Sequence, residues 1–162
     1  MIDEEKLIPE LKSWKKENGD DFDISDWTRC EGNIQLAIGY SFMFWPNFIE
    51  HEGCVFIESR FSVDSFETWK KIESIEYYSQ IESVLNHFHI LDLFVWEQQN
   101  ESSKNQVLYL GKKLLEIYKT KLKADFPNYL FDISFNDNIE TNELIDYQLV
   151  FHRIENEQRK IR

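Results

Sequence analysis

The sequence predicts an α+β fold, a mostly helical single globular domain over residues 1–162 with a C-terminal antiparallel β-hairpin. Apolar residues recur at helical spacing as far as Pro127, and beyond it they alternate with polar residues in two segments. A length of 162 residues is typical of one hydrophobic core. With 42% hydrophobic and 15% aromatic residues, the chain has the composition of a protein that folds.

Two helices are expected in the first third of the chain. Asp3 can cap the first of them, whose apolar positions lie at helical spacing: Leu7, Leu11 and Trp14. An acidic loop over residues 19–26 leads to a second helix over residues 34–45, which ends before Pro46. This second helix is predicted to be buried, although its crowded aromatic residues also fit a buried strand.

The middle of the chain is expected to contain a turn, a strand and three helices. Residues 51–53 are typical of a turn, and residues 54–57 are typical of a short strand rich in β-forming side chains. The three helices are predicted from Asp64 or Ser65 to Ile72, over residues 75–91 with an extension towards Val95, and over residues 107–122. The last of these is the clearest amphipathic segment.

Two strands and a tail are expected after Pro127. Apolar residues alternate over residues 129–135 and again over residues 145–151, which is the pattern of half-buried strands. The acidic residues 137–143 would form the loop of the hairpin. The charged tail, residues 155–162, is expected to be frayed.

The charge of the chain narrows the classes of partner. A total of 30 acidic residues against 18 basic ones gives a formal charge of -12 at pH 7 and an isoelectric point near 4.8. The electrostatic field of this negative charge repels nucleic acid and anionic membranes and attracts a basic protein. The alternative interpretation is that the acidic residues only keep the protein soluble. We therefore expect a basic protein partner, no nucleic acid and no membrane, and the oligomeric state stays open.

The cysteine content and the N-terminus indicate the cytoplasm. Cys30 and Cys54 form neither a disulfide framework nor a four-ligand zinc set. The acidic N-terminal residues lack the basic start of an export signal, and the most apolar window, residues 34–49, is shorter than the roughly 20 residues of a membrane-spanning helix. We expect reduced thiols, no cofactor and no bound metal.

The sequence contains no enzyme motif. Phosphate-binding loops, dinucleotide fingerprints and nucleophile elbows are absent. His89 and Asp92, with Glu82 and Asn86 on the same predicted helix, have the chemistry to bind metal, but such pairs are more often surface hydrogen bonds or packing residues. The metal-capable side chains of residues 50–54 indicate a turn, because neighbours on a strand point to opposite faces. An enzyme with a site assembled from distant residues stays an alternative.

A further alternative is calcium binding by residues 132–143. The segment resembles an EF-hand loop in its ligand positions: Asp132, Ser134, Asn136 and Glu143. Asp137 stands where the loop normally turns on glycine, and Pro127 falls inside the incoming helix. The strand alternation explains the same residues, so calcium binding ranks second.

Acidity and the lack of a catalytic motif favour a non-enzymatic protein-binding module. Trp27, the aromatic run of residues 42–46 and the Phe126-Pro127 entry into the hairpin resemble small acidic bacterial immunity proteins, which neutralise basic toxins. The resemblance implies an antitoxin-type role, in which the chain covers the active site of a toxin such as a nuclease. The carboxylates expected to bind the partner lie in three acidic segments: Asp20, Asp21, Asp23, Asp26, Glu50, Glu52, Glu58, Asp137, Glu140 and Glu143.

Overall fold

The computed structural model describes residues 3–94, 100, 102–137 and 143–161. The fold is α+β, with two small antiparallel sheets. The helices are α1 (Glu4–Leu7), α2 (Leu11–Asn18), α3 (Ile24–Glu31), α4 (Ile34–Phe44), α5 (Val63–Lys70), α6 (Tyr78–Leu85) and α7 (Ser103–Asp125). The strands are β1 (Phe48–His51), β2 (Cys54–Ile57), β3 (Phe88–His89), β4 (Phe131–Asn136) and β5 (Gln148–Arg153). No helix within these described ranges has the length and apolar character needed to cross a bilayer.

The first sheet is a hairpin of β1 and β2, which pair in antiparallel register from Phe48 opposite Ile57. Its two-residue turn holds Glu52 and Gly53 at φ values of 46° and 69°. Tight hairpins need this left-handed conformation, because it matches the twist of the flanking strands. The predicted turn and the predicted strand over residues 54–57 are confirmed, whereas the sequence pattern did not indicate β1 as a strand.

The second sheet has the strand order β3-β5-β4, and both pairs are antiparallel. The two alternating segments of the sequence correspond to β4 and β5, in register from Phe131 opposite Arg153 to Asn136 opposite Gln148. The two strands do not stand alone, because β3 lies along the other edge of β5. Residues 138–142 of their connection lie outside the described residues.

Helix α7 packs on one face of the second sheet and closes the main core. It contains the predicted amphipathic helix, and Pro127 follows its end. Alternate strand residues point towards α7, among them Ile133 of β4 and Phe151 of β5. Gly111 of α7 lies directly against the ring of Phe135, so the absence of a side chain there lets the helix approach β4.

Two buried polar side chains join the two sheets: Glu82 of α6 and Asn86, which directly follows that helix. The carboxylate of Glu82 accepts hydrogen bonds from the N–H groups of Val55 and Arg153, at 2.7 and 3.0 Å. The amide of Asn86 donates to the carbonyl of Val55 at 2.7 Å and accepts from the N–H of Ile57 at 3.2 Å. These bonds satisfy backbone groups of β2 and β5 that burial would otherwise leave unpaired. The polar cluster expected on this helix therefore has a structural role.

The N-terminal region differs from the predicted single helix and long acidic loop. Asp3 caps α1 as predicted, by accepting from the N–H of Lys6 at 3.3 Å. Pro9 then separates α1 from α2, because proline has no N–H to continue a helix. The acidic loop is shorter than expected, since Asp23 caps α3 and Asp26 lies in its first turn.

The predicted long helix over residues 75–91 is wrong beyond Leu85, where α6 ends. Phe88–His89 form β3, which pairs with β5, and a 3₁₀ turn follows at Ile90–Leu93. His89 and Asp92 therefore do not lie one turn apart on an α-helix. Pairing with a distant strand outweighs the local helical spacing, and Val95 lies outside the described residues. The helix predicted from Asp64 or Ser65 is present as α5.

The C-terminal tail is docked on the fold, contrary to the frayed tail expected from its charge. Ile154–Glu157 form a 3₁₀ turn in which Asn156 is buried and donates to the carboxylate of Glu82 at 2.8 Å. Further on, Lys160 forms a β-bridge with Tyr77. The tail thus returns to the start of α6, and its backbone is held by hydrogen bonds.

Candidate protein-binding surface

Helix α4 carries an apolar stripe that faces solvent. Successive helical residues turn by about 100°, so Ile34, Ile38 and Phe42 lie on one side of the helix. These side chains are 78%, 56% and 69% exposed, and Trp45 at the end of the helix is 52% exposed. These four residues form the outer stripe. The helix predicted over residues 34–45 is confirmed, but its predicted burial is wrong.

The opposite side of α4 attaches the helix to the fold. Tyr40 and Phe44 stack with 5.6 Å between their ring centroids, and Phe44 packs against the main core. The hydroxyl of Tyr118 on α7 donates to the carbonyl of Met43 at 3.0 Å. Asn33 caps the helix by accepting from two N–H groups of the first turn. The C-terminal half of α4 is thus attached through Tyr40 and Phe44, whereas the outer stripe is uncovered and so is Leu36, which is 57% exposed.

An open groove of about 460 Å³ runs beside the inner side of α4. Helices α1, α3, α4 and α7 contribute to its mostly apolar walls, with side chains that include Leu7, Ile24, Trp27, Tyr40 and Leu110. The indole N–H of Trp27 is buried and has no hydrogen-bond partner in the described part of the chain. Helices α3 and α4 therefore share one apolar recess.

The acidic residues expected to bind a partner lie in three separate places. The corner between α2 and α3, called the α2–α3 corner below, holds Asp20, Asp21, Asp23 and Asp26. The β1–β2 hairpin and the 3₁₀ turn that follows it hold Glu50, Glu52 and Glu58. The connection after β4 holds Asp137 and Glu143, and Glu140 lies outside the described residues.

Several of these carboxylates are already engaged within the fold. Glu52 pairs with Lys70 at 2.9 Å, and hydrogen bonding from Lys70 lowers the pKa of the Glu52 carboxyl. Asp137 pairs with Lys112 at 3.1 Å. The side chain of Asp23 accepts hydrogen bonds from the N–H groups of Ser25 and Asp26 in the first turn of α3. Part of the acidic charge thus serves local structure.

The acidic residues of the β1–β2 hairpin and of the connection after β4 lie towards opposite ends of β4. Glu50 accepts a hydrogen bond at 3.0 Å from the hydroxyl of Tyr129, which precedes β4, whereas Asp137 follows β4. A strand of this length spans about 20 Å. On α7, Lys112 lies nearly opposite Leu110, which lines the groove beside α4. The α2–α3 corner is connected to α4 through the groove, which Ile24 and Trp27 of α3 line together with Tyr40 and Phe44 of α4.

Two side chains with nucleophilic chemistry, Cys54 and Tyr118, are buried and used for packing, whereas the Cys30 thiol is exposed. Cys54 is buried, and burial together with the nearby Glu82 raises the pKa of its thiol to about 12. The group is therefore a thiol at neutral pH and not the reactive thiolate. Burial also raises the pKa of the Tyr118 hydroxyl to about 12. The His51 ring packs edge-on against Phe66, with 4.9 Å between centroids.

The segment considered as a calcium loop begins as a strand. Asp132, Ser134 and Asn136 occupy alternate positions of β4. Same-side residues of a strand are about 6.6 Å apart, so these three side chains do not converge on one ion as they would in an EF-hand. The strand conformation disfavours this alternative, and residues 138–142 lie outside the described residues.

Comparison of the chain with protein-family models, with curated proteins and with solved structures finds no match. The features of this chain that bear on its function are therefore the exposed surface of α4, the α2–α3 corner and the polar clusters.

Proposed function

We propose that the chain is a non-enzymatic protein-binding module of the immunity or antitoxin type, which binds a basic toxin and covers its active site. The outer stripe of α4 is the observation that carries the proposal. A large contiguous apolar patch on a protein surface is more often an interaction site than the rest of the surface is. Aliphatic and aromatic side chains one turn apart are also the pattern by which a helix docks into an apolar groove of a partner.

The α2–α3 corner supports a basic partner. Asp20 and Asp21 are exposed there, while α4 itself contains no charged residue. A partner that extends from the outer stripe across the groove between α4 and α3 would meet this negative corner. Carboxylates in such a position steer a cationic partner during the encounter and disfavour an acidic one. The partner we propose is therefore a basic protein with an apolar cleft.

The test uses a variant in which three of the four outer-stripe residues are replaced by glutamine while the core is left unchanged. The stripe variant carries I34Q, I38Q and F42Q, and its free energy of unfolding should change by less than about 0.5 kcal/mol per site because the side chains are exposed. The matched control carries V63Q, L130Q and I154Q, at exposed apolar positions outside α4. Both variants change three apolar residues to the same polar residue.

Affinity capture with the wild type, the stripe variant and the control selects a partner, and calorimetry with the purified partner measures Kd. We expect a basic protein that the wild type and the control bind equally. The stripe variant should bind it at least about 100-fold more weakly, because an anchor residue at an interface centre contributes about 2–4 kcal/mol. Stoichiometric inhibition of a toxic activity of that partner supports the antitoxin type, and equal binding by all three proteins contradicts the proposal.

Two further measurements test other occupants of the stripe. If the stripe joins two copies of the chain, light scattering will find a wild-type dimer and a monomeric stripe variant. If the stripe binds lipid, the wild type but not the variant will float with phosphatidylcholine vesicles. Either result overturns the proposal of a basic protein partner.

A further inference from the structure

We propose that Asp132, His152 and Glu157 bind a divalent transition-metal ion of the Zn²⁺ class. One ligand atom from each side chain lies within 4.8 Å of the other two. An imidazole nitrogen with two carboxylate oxygens is a donor set that zinc and related ions accept in proteins. The three residues are far apart in sequence, and the fold brings them together.

The three side chains come from elements that hold them in place. Asp132 and His152 stand directly opposite each other in the β4–β5 register, so their side chains share one face of the sheet. Glu157 ends the 3₁₀ turn after β5, and its Oε1 lies 2.8 Å from Nε2 of His152. The neighbouring Asn156 is buried and bonded to Glu82, which fixes the backbone of that turn.

Ser83 of α6 is placed to orient the imidazole. Its Oγ lies 3.2 Å from Nδ1 of His152. In the tautomer that carries its proton on Nδ1, this N–H donates a hydrogen bond to the Ser83 hydroxyl. The lone pair of Nε2 then points towards the two carboxylates and is free to bind a metal ion. Metal-binding histidines are commonly oriented by such a hydrogen bond to their second nitrogen. The His152 side chain is 17% exposed, so packing limits rotation of the ring.

Electrostatics and geometry both favour a cation between these groups. Two carboxylates beside a neutral imidazole carry two negative charges, which a divalent ion neutralises. Zinc holds oxygen and nitrogen ligands at about 2.0–2.1 Å, so its ligand atoms stand about 3.3 Å apart. The widest separation in the cluster, at most 4.8 Å, must therefore close by up to roughly 1.5 Å, and the 2.8 Å between His152 Nε2 and Glu157 Oε1 must open by roughly 0.5 Å. The carboxylates of Asp132 and Glu157 are on exposed residues and can rotate this far. A fourth position remains for water.

The side-chain cluster of Asp132, His152 and Glu157, called the metal cluster below, lies on the side of the second sheet that faces away from α7. Ile133 and Phe151, the neighbours of Asp132 and His152 in the strands, point towards α7. Helix α4 packs on α7, so the sheet separates the cluster from the outer stripe. The metal site is therefore independent of the proposed protein-binding function.

Calorimetric titration of the chelator-treated protein with Zn²⁺ tests the site. We expect one ion per chain with a micromolar Kd, and a rise in Tm that EDTA reverses. The variant D132N/E157Q should lose this binding, and S83A should weaken it by roughly 10- to 100-fold. The control E58Q/D92N changes one glutamate and one aspartate, both exposed and in 3₁₀ turns elsewhere, and should bind as the wild type does.

Imidazole ¹⁵N spectra of the wild type provide a readout that needs no variant. Zn²⁺ should shift the Nε2 resonance of His152 and leave the other three histidines unchanged, and Ca²⁺ or Mg²⁺ at the same concentration should have no such effect. The proposal is overturned by the lack of saturable binding, by binding that D132N/E157Q retains, or by a shift at a different histidine. These results leave the α4 proposal untouched, because it concerns another surface.

Discussion

Two glycines inside helices test the exposure of α4 and the close packing of α7. Gly39 lies within α4 and Gly111 within α7. Alanine is more favourable than glycine in a helix interior by about 0.8–1.0 kcal/mol, so G39A and G111A start from the same expected gain. The two substitutions differ in what the new methyl group meets, and each is the control for the other.

The surroundings of the two positions predict opposite changes. A Cβ at Gly39 meets nothing within 4 Å, so G39A should gain about 1 kcal/mol, or roughly 2–4 °C in Tm. A Cβ at Gly111 would meet three atoms of the Phe135 ring, the farthest at 2.8 Å. That ring stacks on the buried Tyr147, so it has little room to move. Overpacking costs about 1–3 kcal/mol, which leaves G111A with a net loss of about 0–2 kcal/mol.

Urea unfolding of both variants and the wild type measures these free energies. G39A should exceed G111A in the free energy of unfolding by about 1–3 kcal/mol, with equal m-values. If G111A is as stable as G39A, the contact between α7 and Phe135 is refuted. If G39A is less stable than the wild type, α4 is not an uncovered helix in solution, and the outer stripe loses the exposure on which the proposed function depends.

Two other measurements probe the buried groups. Burial raises the pKa of Glu82 above its ordinary value of 4.5, so its contribution to stability is complete below that value and is lost as the pH rises through the folded-state pKa. The stability difference between the wild type and E82Q should therefore shrink as the pH rises above 4.5, and a difference that stays constant with pH would contradict this. Cys30 is exposed and Cys54 is buried with a thiol pKa of about 12, so a thiol reagent should label one cysteine in the native protein and both in urea. Rapid native labelling of both would show that the hairpin core opens.

Long periodic segments were predictable from the sequence because local rules decide them. The apolar residues of α7 recur at helical spacing over many turns. Asp3 caps α1 through a hydrogen bond to Lys6, which is only three residues away in the sequence. The end of α6 was not predictable in this way. Phe88 continues the helical spacing, but it forms a strand because β5, about sixty residues later, supplies the pairing partner. The spacing of apolar residues within a short segment does not show whether a strand elsewhere in the sequence will pair with it.

The candidate sites were harder to predict than the elements that carry them. Apolar periodicity shows that α4 has faces that avoid water, but core and interface faces have the same composition, so the outer stripe was assigned to the core. The metal cluster depends on strand register. Alternation predicted both strands, yet only the pairing of Ile133 with Phe151 sets Asp132 opposite His152, and Glu157 joins them through a turn that was expected to fray.

The outer stripe does not account for a stable complex by its apolar area alone. Full burial of an isoleucine or phenylalanine side chain contributes about 1.5–3 kcal/mol, so the exposed parts of Ile34, Ile38 and Phe42 together offer about 3–6 kcal/mol. The exposed half of Trp45 adds about 2–3 kcal/mol. Association costs about 4–15 kcal/mol in lost translational and rotational freedom. A tight complex therefore needs a second contribution, and we expect the exposed carboxylates of the α2–α3 corner to supply part of it.

Charge reversal can separate a local contribution of that corner from the net charge of the protein. D20K/D21K should slow association with the captured partner and flatten its salt dependence, because nearby carboxylates act on the approach of a basic surface. The control D137K/E143K makes the same change in charge in the connection between β4 and β5, outside the α2–α3 corner. Stopped-flow mixing at low and high salt measures both rates. Equal slowing by the two variants would assign the attraction to the total charge of -12 and remove the α2–α3 corner from the binding surface.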